Sequence, residues 1–111
     1  MNKEQTITGV IRGTGACVPE RILDNKEIAG FVDTSDEWIR ERTGVRRRRI
    51  AEKETTVSMA CEAGRQAVEE AGISPDEIDM ILVATGSPDQ IFPCTACRVQ
   101  EALGADGAVG F

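Results

Sequence analysis

The chain has 111 residues, of which 41% are hydrophobic and 29% are charged, and its formal net charge is -6. This size and composition predict one domain over 1–111 without an internal boundary, and they exclude a natively disordered chain. The acidic balance argues against a nucleic-acid partner, and no apolar run reaches the ~20 residues that cross a bilayer, so no membrane partner is expected. Because the chain has no His and no Tyr, it cannot supply an imidazole base or a phenolic acid.

The N-terminal segment predicts a strand over 6–11, which is rich in β-branched residues. The following Gly13-Thr14-Gly15 is open to two interpretations, a plain turn or part of a dinucleotide-binding loop. The second interpretation needs a third glycine where Val18 stands, and it needs a helix that nothing in the sequence opens there. The turn is therefore favoured.

Two short helices are predicted next. Asn25 can cap the first of them, which ends at Gly30. A capping box of Thr34 and Glu37 opens the second, which ends at Gly44. Each helix is thus delimited by local signals at both ends.

A strand is predicted over 45–50, and it contains the run Arg46–Arg49. Six of the 13 basic residues lie within 40–49, where Glu41 is the one acid, so this stretch carries +5 and the remainder of the chain -11. Such a patch suits a phosphate-bearing ligand or an acidic protein partner. The alternative is a solvated strand whose arginines pair with surrounding carboxylates.

The second half of the chain predicts alternating helix and strand. A helix begins at Thr55 or Thr56, buries a stripe of small and apolar side chains, and ends at Gly72. A one-turn element with a capping box follows over 74–77. The continuous apolar run 80–85 predicts a parallel strand that is covered on both faces and forms the core. The stripe consists of Val57, Ala60, Cys61, Gly64, Val68 and Ala71.

The C-terminal part predicts a helix over 94–103, with Ala96, Val99 and Leu103 facing inward, and the beginning of a strand over 108–111. A strand, a helix and a strand in this order imply a right-handed parallel crossover, and the fold class is α/β. Functional groups in open α/β sheets lie past the carboxyl ends of the strands. We therefore expect the chemistry to follow Phe111.

Cys94 and Cys97 form a Cys-x-x-Cys pair at the start of this last helix. No second pair and no His accompany them, which argues against zinc, and no metal site is expected. Two interpretations stay open: a thioredoxin-like redox pair, or small buried helix cysteines, which are commoner. All four cysteines are too irregularly spaced for a secreted disulfide framework and the N-terminus lacks a signal peptide, so we expect free thiols and a cytoplasmic location.

Trp38 and Arg42 lie four residues apart on one face of the second predicted helix. A tryptophan in this position could stack on a base while the guanidinium holds a phosphate. A lone tryptophan is, however, more often part of a core. Spacing alone does not separate these interpretations.

Several sequence blocks occur here in a distinctive order and spacing. Together with the opening Gly13-Thr-Gly-Ala-Cys-Val-Pro-Glu20, they closely resemble the start of β-ketoacyl-acyl carrier protein synthase III, and the resemblance covers essentially the whole chain. The blocks are Val32-Asp-Thr-Ser-Asp-Glu-Trp-Ile-Arg-Glu-Arg-Thr-Gly-Val45, Arg48-Arg-Ile-Ala51, Ile81-Leu-Val-Ala-Thr85 and Phe92-Pro-Cys-Thr-Ala-Cys97.

The resemblance implies the N-terminal part of a thiolase-type duplicated α/β fold, with five α-β-α-β-α layers, which is incomplete in this chain. In the family, an active-site cysteine takes the acyl group of an acyl-CoA primer, here expected to be acetyl-CoA. It then condenses that group with malonyl-acyl carrier protein, with loss of CO2, to start fatty-acid synthesis. The CoA thioester is a substrate, so no cofactor is expected. The implied partners are acyl-CoA, malonyl-acyl carrier protein, the remainder of the enzyme and a second copy in a homodimer.

The resemblance also assigns residues. Trp38 matches the tryptophan that packs on the CoA adenine, Arg42 the arginine that contacts the nucleotide end, and Thr34 a residue that lines the same entrance. Phe92 matches an aromatic beside the acyl pocket and the dimer interface. The catalytic Cys, His and Asn have no counterpart and are expected just beyond Phe111 and further downstream, so this chain alone is expected to be inactive.

Three matters stay open at this point. Cys97 matches a common family cysteine in a structural helix, whereas Cys94 stands where Ser is usual. The enzyme could also be a related condensing enzyme of polyketide or 3-hydroxy-3-methylglutaryl-CoA synthase type. From a different class, the chain could be a noncatalytic module whose basic strand binds an acidic acyl carrier protein.

Overall fold

The computed structural model describes residues 8–111, which form a mixed α/β arrangement. The radius of gyration is 19.0 Å, whereas a compact globule of this length has about 13 Å, so the chain is open and elongated. In chain order the elements are β1 (Ile22–Asp24), α1 (Asn25–Ala29), α2 (Asp36–Thr43), β2 (Arg47–Arg49), α3 (Thr56–Ala71), a 3-10 turn (Pro75–Glu77), β3 (Met80–Ile81), α4 (Thr95–Leu103) and β4 (Val109–Gly110).

The first unit contains α1, α2 and a two-stranded antiparallel sheet of β1 and β2, in which Leu23 pairs with Arg48. The strand predicted over 45–50 is confirmed as β2. The partner strand β1 was not predicted, because three residues are too few to show an alternating pattern.

The N-terminal caps of α1 and α2 each lie one residue away from the predicted position. Asp24, rather than Asn25, caps α1, because its carboxylate accepts a 2.9 Å hydrogen bond from the Glu27 amide. Ser35, rather than Thr34, caps α2, and its hydroxyl accepts a 3.1 Å hydrogen bond from the Trp38 amide. In both places the extended residue directly before the helix acts as the cap.

Helix α3 has the predicted bounds. Thr55 caps it in a reciprocal capping box with Ser58, and Gly72 ends it at a φ of 65°, which favours glycine. Its small-residue stripe packs on α4, where a Cβ at Gly64 would lie 3.3 Å from Leu103. The predicted capping box over 74–77 is also confirmed, as the 3-10 turn.

The second sheet pairs β3 with β4 in parallel, as predicted for a strand-helix-strand unit. The prediction that 80–85 forms the core is wrong within the described residues: Met80 is 57% exposed and Leu82 67%. The run has β4 on one edge, and no strand is assigned on its other edge in residues 8–111. The buried apolar side chains lie instead on α4, on the segment after it and on α2, and they are Ile39, Ala96, Val99, Ala105 and Ala108.

The strand predicted over 6–11 lies partly outside the described residues, and its described part, 8–11, is not in a strand. The chain that follows runs along α3 at close range. A Cβ at Gly13 would overlap the carbonyl oxygen of Ala67, and one at Gly15 would overlap that of Ala63. Both glycines are therefore required by a close approach of backbone to helix, which agrees with neither a phosphate loop nor a free turn.

Candidate functional site

A cleft of about 550 Å³ opens between α2 and the segment that joins it to α1. Its wall combines branched apolar side chains with one aromatic ring and the polar residues of the joining segment. This combination suits a ligand that presents a planar group and polar atoms together. The lining residues are Ile28, Val32, Asp33, Thr34, Ser35, Trp38 and Ile39.

Trp38 lines this cleft, and Arg42 lies one turn further along α2. The guanidinium carbon of Arg42 is 5.7 Å from the centroid of the Trp38 ring, which is within the range of a cation–π contact. Trp38 is 55% exposed, so the interpretation of the lone tryptophan as a core residue is wrong for the described chain. The pair presents an aromatic surface with a positive charge beside it.

Thr34 lies in the wall of the same cleft. Its hydroxyl oxygen is buried and has no hydrogen-bond partner within residues 8–111. A buried polar atom in this condition costs free energy unless a ligand or solvent satisfies it. The structure thus brings Thr34, Trp38 and Arg42 together, as their assignment to one site requires.

A buried polar cluster fixes the position of α2. Asn25 is 1% exposed, and its side-chain amide donates 2.8 Å hydrogen bonds to the Asp36 carboxylate and to the carbonyl oxygen of Val45. Its side-chain oxygen accepts a 2.9 Å hydrogen bond from Arg48. One side chain therefore joins α1, α2 and β2, and it holds the first turn of the helix that carries Trp38.

Sequence reasoning missed this role of Asn25. The available signals were a polar residue between two apolar elements and an arginine inside a predicted strand, and both are common on solvated surfaces. Only the pairing of β1 with β2 brings Asn25, which directly follows β1, within hydrogen-bond distance of Arg48.

Several arginines of the stretch 40–49 form contacts with other residues of the chain. Arg49 donates hydrogen bonds to the backbone carbonyl oxygens of Pro19 and Glu20. Arg40 forms an ion pair with Asp36 at 3.5 Å. Arg48 donates a hydrogen bond to Asn25. Together with the contact of Arg42 on Trp38, these interactions make the patch smaller than its sequence suggests.

Phe92 lies apart from the cleft, in the loop between β3 and α4, and it is 88% exposed. The carboxylate of Asp89 in this loop accepts hydrogen bonds of 3.0 and 2.8 Å from the amides of Thr56 and Val57. These bonds hold the pKa of Asp89 below its ordinary value. The loop is thereby anchored to the N-terminus of α3.

The carboxyl edge of the parallel sheet brings Cys94 close to Phe111. Both residues line a second cleft, of about 200 Å³, beside the N-terminus of α4. Cys94 is half-buried, and Cys97 is exposed. Within residues 8–111 no cluster of three or more possible metal ligands is present, and none of the described helices has the length and apolar character of a membrane span.

Comparison with known proteins identifies the relatives of the chain. It is 52% identical over 106 residues to the β-ketoacyl-[acyl-carrier-protein] synthase III of Erythrobacter litoralis, and 51% identical over 106 residues to that of Rhizobium meliloti. Each alignment covers 95% of this chain and 33% of the relative. The chain thus spans about one third of the length of the curated relatives it matches. No family model matches it.

Solved structures give the same result. The 3-oxoacyl-[acyl-carrier-protein] synthase III of Aquifex aeolicus superimposes with a TM-score of 0.87 at 48% identity, over 91% of this chain and 33% of that one. The priming β-ketosynthase of the R1128 polyketide pathway gives a TM-score of 0.86 at 42% identity, over 91% and 30% of the two chains. The resemblance to β-ketoacyl-acyl carrier protein synthase III and the assignment to part of a thiolase-type α/β fold are confirmed.

Proposed function

We propose that this chain supplies the CoA entrance of a condensing enzyme that joins an acyl-CoA primer, acetyl-CoA above all, to malonyl-acyl carrier protein. The observation that carries the proposal is that Trp38, with Arg42 over its ring, lines one cleft together with Thr34, whose buried hydroxyl has no partner within residues 8–111. The relatives support it, because they are β-ketoacyl-[acyl-carrier-protein] synthases III and their alignments cover 95% of this chain.

The three side chains have complementary roles in this proposal. Trp38 offers an exposed ring on which the adenine stacks. Arg42 lies over that ring and is always charged, so it fixes the ring and attracts the phosphates of the nucleotide. The Thr34 hydroxyl forms a hydrogen bond to a polar atom of the bound nucleotide, which removes the cost of its burial.

The remainder of the enzyme completes the reaction in this proposal. The catalytic Cys, His and Asn follow Phe111, and further strands and helices cover the exposed run 80–85. Phe92, 88% exposed, packs at the acyl pocket and the interface of a homodimer. The four free cysteines support a reducing, cytoplasmic location. The 111-residue chain by itself is then inactive in acyl transfer.

Titration with CoA tests the entrance directly, because Trp38 is the only tryptophan of the chain. We expect CoA to quench the part of the fluorescence of the complete enzyme that Trp38→Ala removes. We also expect Arg42→Ala and Trp38→Ala to weaken CoA binding about 5- to 100-fold each. Calorimetry measures the affinity of the Trp38→Ala variant, which lacks the fluorescent side chain. Unchanged affinity in both variants would reject the site.

Matched controls separate the site from general effects of charge and hydrophobicity. Phe31→Ala removes an aromatic that is 70% exposed and does not line the cleft. Arg47→Ala removes a nearby exposed charge. Both variants should bind CoA as the unmodified protein does.

A second candidate is a priming synthase of a polyketide pathway. The observation that favours it is the TM-score of 0.86 with the R1128 priming β-ketosynthase, which nearly equals that with the Aquifex aeolicus enzyme. Both candidates use the same CoA entrance. Turnover of acetyl-CoA compared with that of longer acyl-CoA primers, measured on the complete enzyme, distinguishes them.

A further inference from the structure

Two of the four cysteines are close neighbours. The sulfur atoms of Cys94 and Cys97 are 3.3 Å apart, and both residues are free thiols. Cys94 is the N-terminal cap of α4, and Cys97 lies one turn further along. In the described part of the chain, no hydrogen bond joins the other two cysteines, Cys17 and Cys61, to a second thiol.

The surroundings hold this pair in place. The Cys97 amide donates a 3.1 Å hydrogen bond to the carbonyl oxygen of Cys94, which fixes the turn between them. On the other side, Gly110 of β4 passes so near that a Cβ there would lie 3.1 Å from the Cys97 sulfur. A substituent at 110 would displace this thiol, so the strand and the helix together set its position.

Within residues 8–111 the pair is also accessible from one side. Cys94 lines the cleft of about 200 Å³ at the carboxyl edge of the sheet, and Cys97 is exposed in the described chain. A small molecule that reaches this cleft meets the sulfur of Cys94 with a second thiol within 3.3 Å.

We propose that Cys94 and Cys97 are a redox-active dithiol, which a small-molecule disulfide such as glutathione disulfide oxidises to an intramolecular disulfide. The Cys94 thiolate attacks one sulfur of glutathione disulfide, and a glutathione thiolate leaves. The Cys97 thiolate, after giving its proton to solvent, then attacks the Cys94 sulfur of the mixed disulfide, and the second glutathione leaves. The protein loses two protons and two electrons, and one glutathione disulfide becomes two glutathione thiols.

The order of attack follows from the positions of the two sulfurs. Cys94 lies at the N-terminal end of α4, where the partial positive charge of the helix favours a thiolate. The nearby Cys97 backbone N–H and thiol hold the pKa of Cys94 below its ordinary value, whereas the neighbouring Cys94 thiol raises the pKa of Cys97. Cys94 is thus the attacking group and Cys97 the resolving one. This site does not depend on the proposed CoA entrance.

Equilibration of the full chain in glutathione buffers, followed by alkylation and peptide mass mapping, tests the proposal. We expect a loss of about 2 Da that is confined to the peptide holding Cys94 and Cys97 and is reversed by excess reduced glutathione. The equilibrium constant for oxidation should be at least about tenfold larger in the folded chain than in denaturing urea. Equal constants, or two alkylated thiols under strongly oxidising buffer, would overturn the proposal.

Single variants test the order of attack. In Cys97→Ser, glutathione should remain on Cys94 as a stable adduct of about 305 Da. In Cys94→Ser, the adduct on Cys97 should form at least about tenfold more slowly. The control Cys61→Ser should be oxidised as the unmodified chain is. An adduct that forms equally fast on either thiol would contradict the assigned roles.

Discussion

The side-chain amide of Asn25 donates a 2.8 Å hydrogen bond to the carboxylate of Asp36, eleven residues away in a different helix. Asn25 is the largest fully buried side chain of the described chain. With its bonds to Val45 and Arg48, it satisfies the polar groups of three elements at once. The helix that carries the proposed adenine-binding tryptophan is therefore positioned by a buried polar contact as well as by the apolar packing of Ile39.

Replacement of Asn25 by Ala should destabilise this unit by about 2–4 kcal/mol. The reason is that the variant loses its three hydrogen bonds and leaves the Val45 carbonyl oxygen and Arg48 without their partner. Urea unfolding followed by Trp38 fluorescence measures the change. Arg47→Ala, on the same strand but exposed, is the matched control and should stay within about 0.5 kcal/mol. A similar effect of both variants would show that Asn25 is not the anchor.

The titration of Asp36 should report the same contact. The hydrogen bond from Asn25, and after it Arg40, holds the pKa of Asp36 below its ordinary value of 3.8. A lowered folded-state pKa means that the stabilisation is fully present above the unfolded value and is lost as the pH falls through the folded value.

NMR titration of the Asp36 carboxyl carbon should therefore give a midpoint below 3.8. In Asn25→Ala the midpoint should rise toward the ordinary value, and in Arg40→Ala it should rise less, because Asn25 has the larger effect. If the midpoint stayed in place in Asn25→Ala, the cause assigned to the shift would be wrong.

The accuracy of the sequence predictions depended on how local the determining contacts are. Helices α3 and α4 follow prediction closely, because their stripes and their end glycines, Gly72 and Gly104, act within a few residues. The cap of α2 could not be placed by pattern, since Thr34 and Ser35 are chemically similar and only the backbone geometry selects between them. The prediction that 80–85 is buried was wrong because the burial of a strand depends on neighbours distant in sequence, which the apolar run does not specify. The assignment of Trp38, Arg42 and Thr34 to one site came from the resemblance and stays a prediction.

The close approach of the N-terminal segment to α3 predicts a sharp steric effect. Gly15→Ala would place a Cβ against the carbonyl oxygen of Ala63, and Gly13→Ala one against that of Ala67. Backbone cannot yield as a flexible side chain does, so each variant should cost about 1–3 kcal/mol of unfolding free energy. Gly9→Ala, with no atom within 4 Å of its Cβ, is the control and should be neutral. Thermal unfolding of the three variants decides the matter, and equal stabilities would refute the packing.

The anchor between Asp89 and α3 should be visible in hydrogen exchange. Its carboxylate accepts bonds from the amides of Thr56 and Val57, so Asp89→Ala should accelerate exchange at these two amides about tenfold or more. Because these bonds lower the pKa of Asp89 below 3.8, protonation should release the two amides only when the pH falls through that lowered value. Asp106 is an exposed acid that follows α4 in the sequence. Asp106→Ala is therefore the control and should leave both amides protected. If Asp89→Ala also left both amides protected, the amides would be held by the helix alone, and the loop that carries Phe92 would need another anchor.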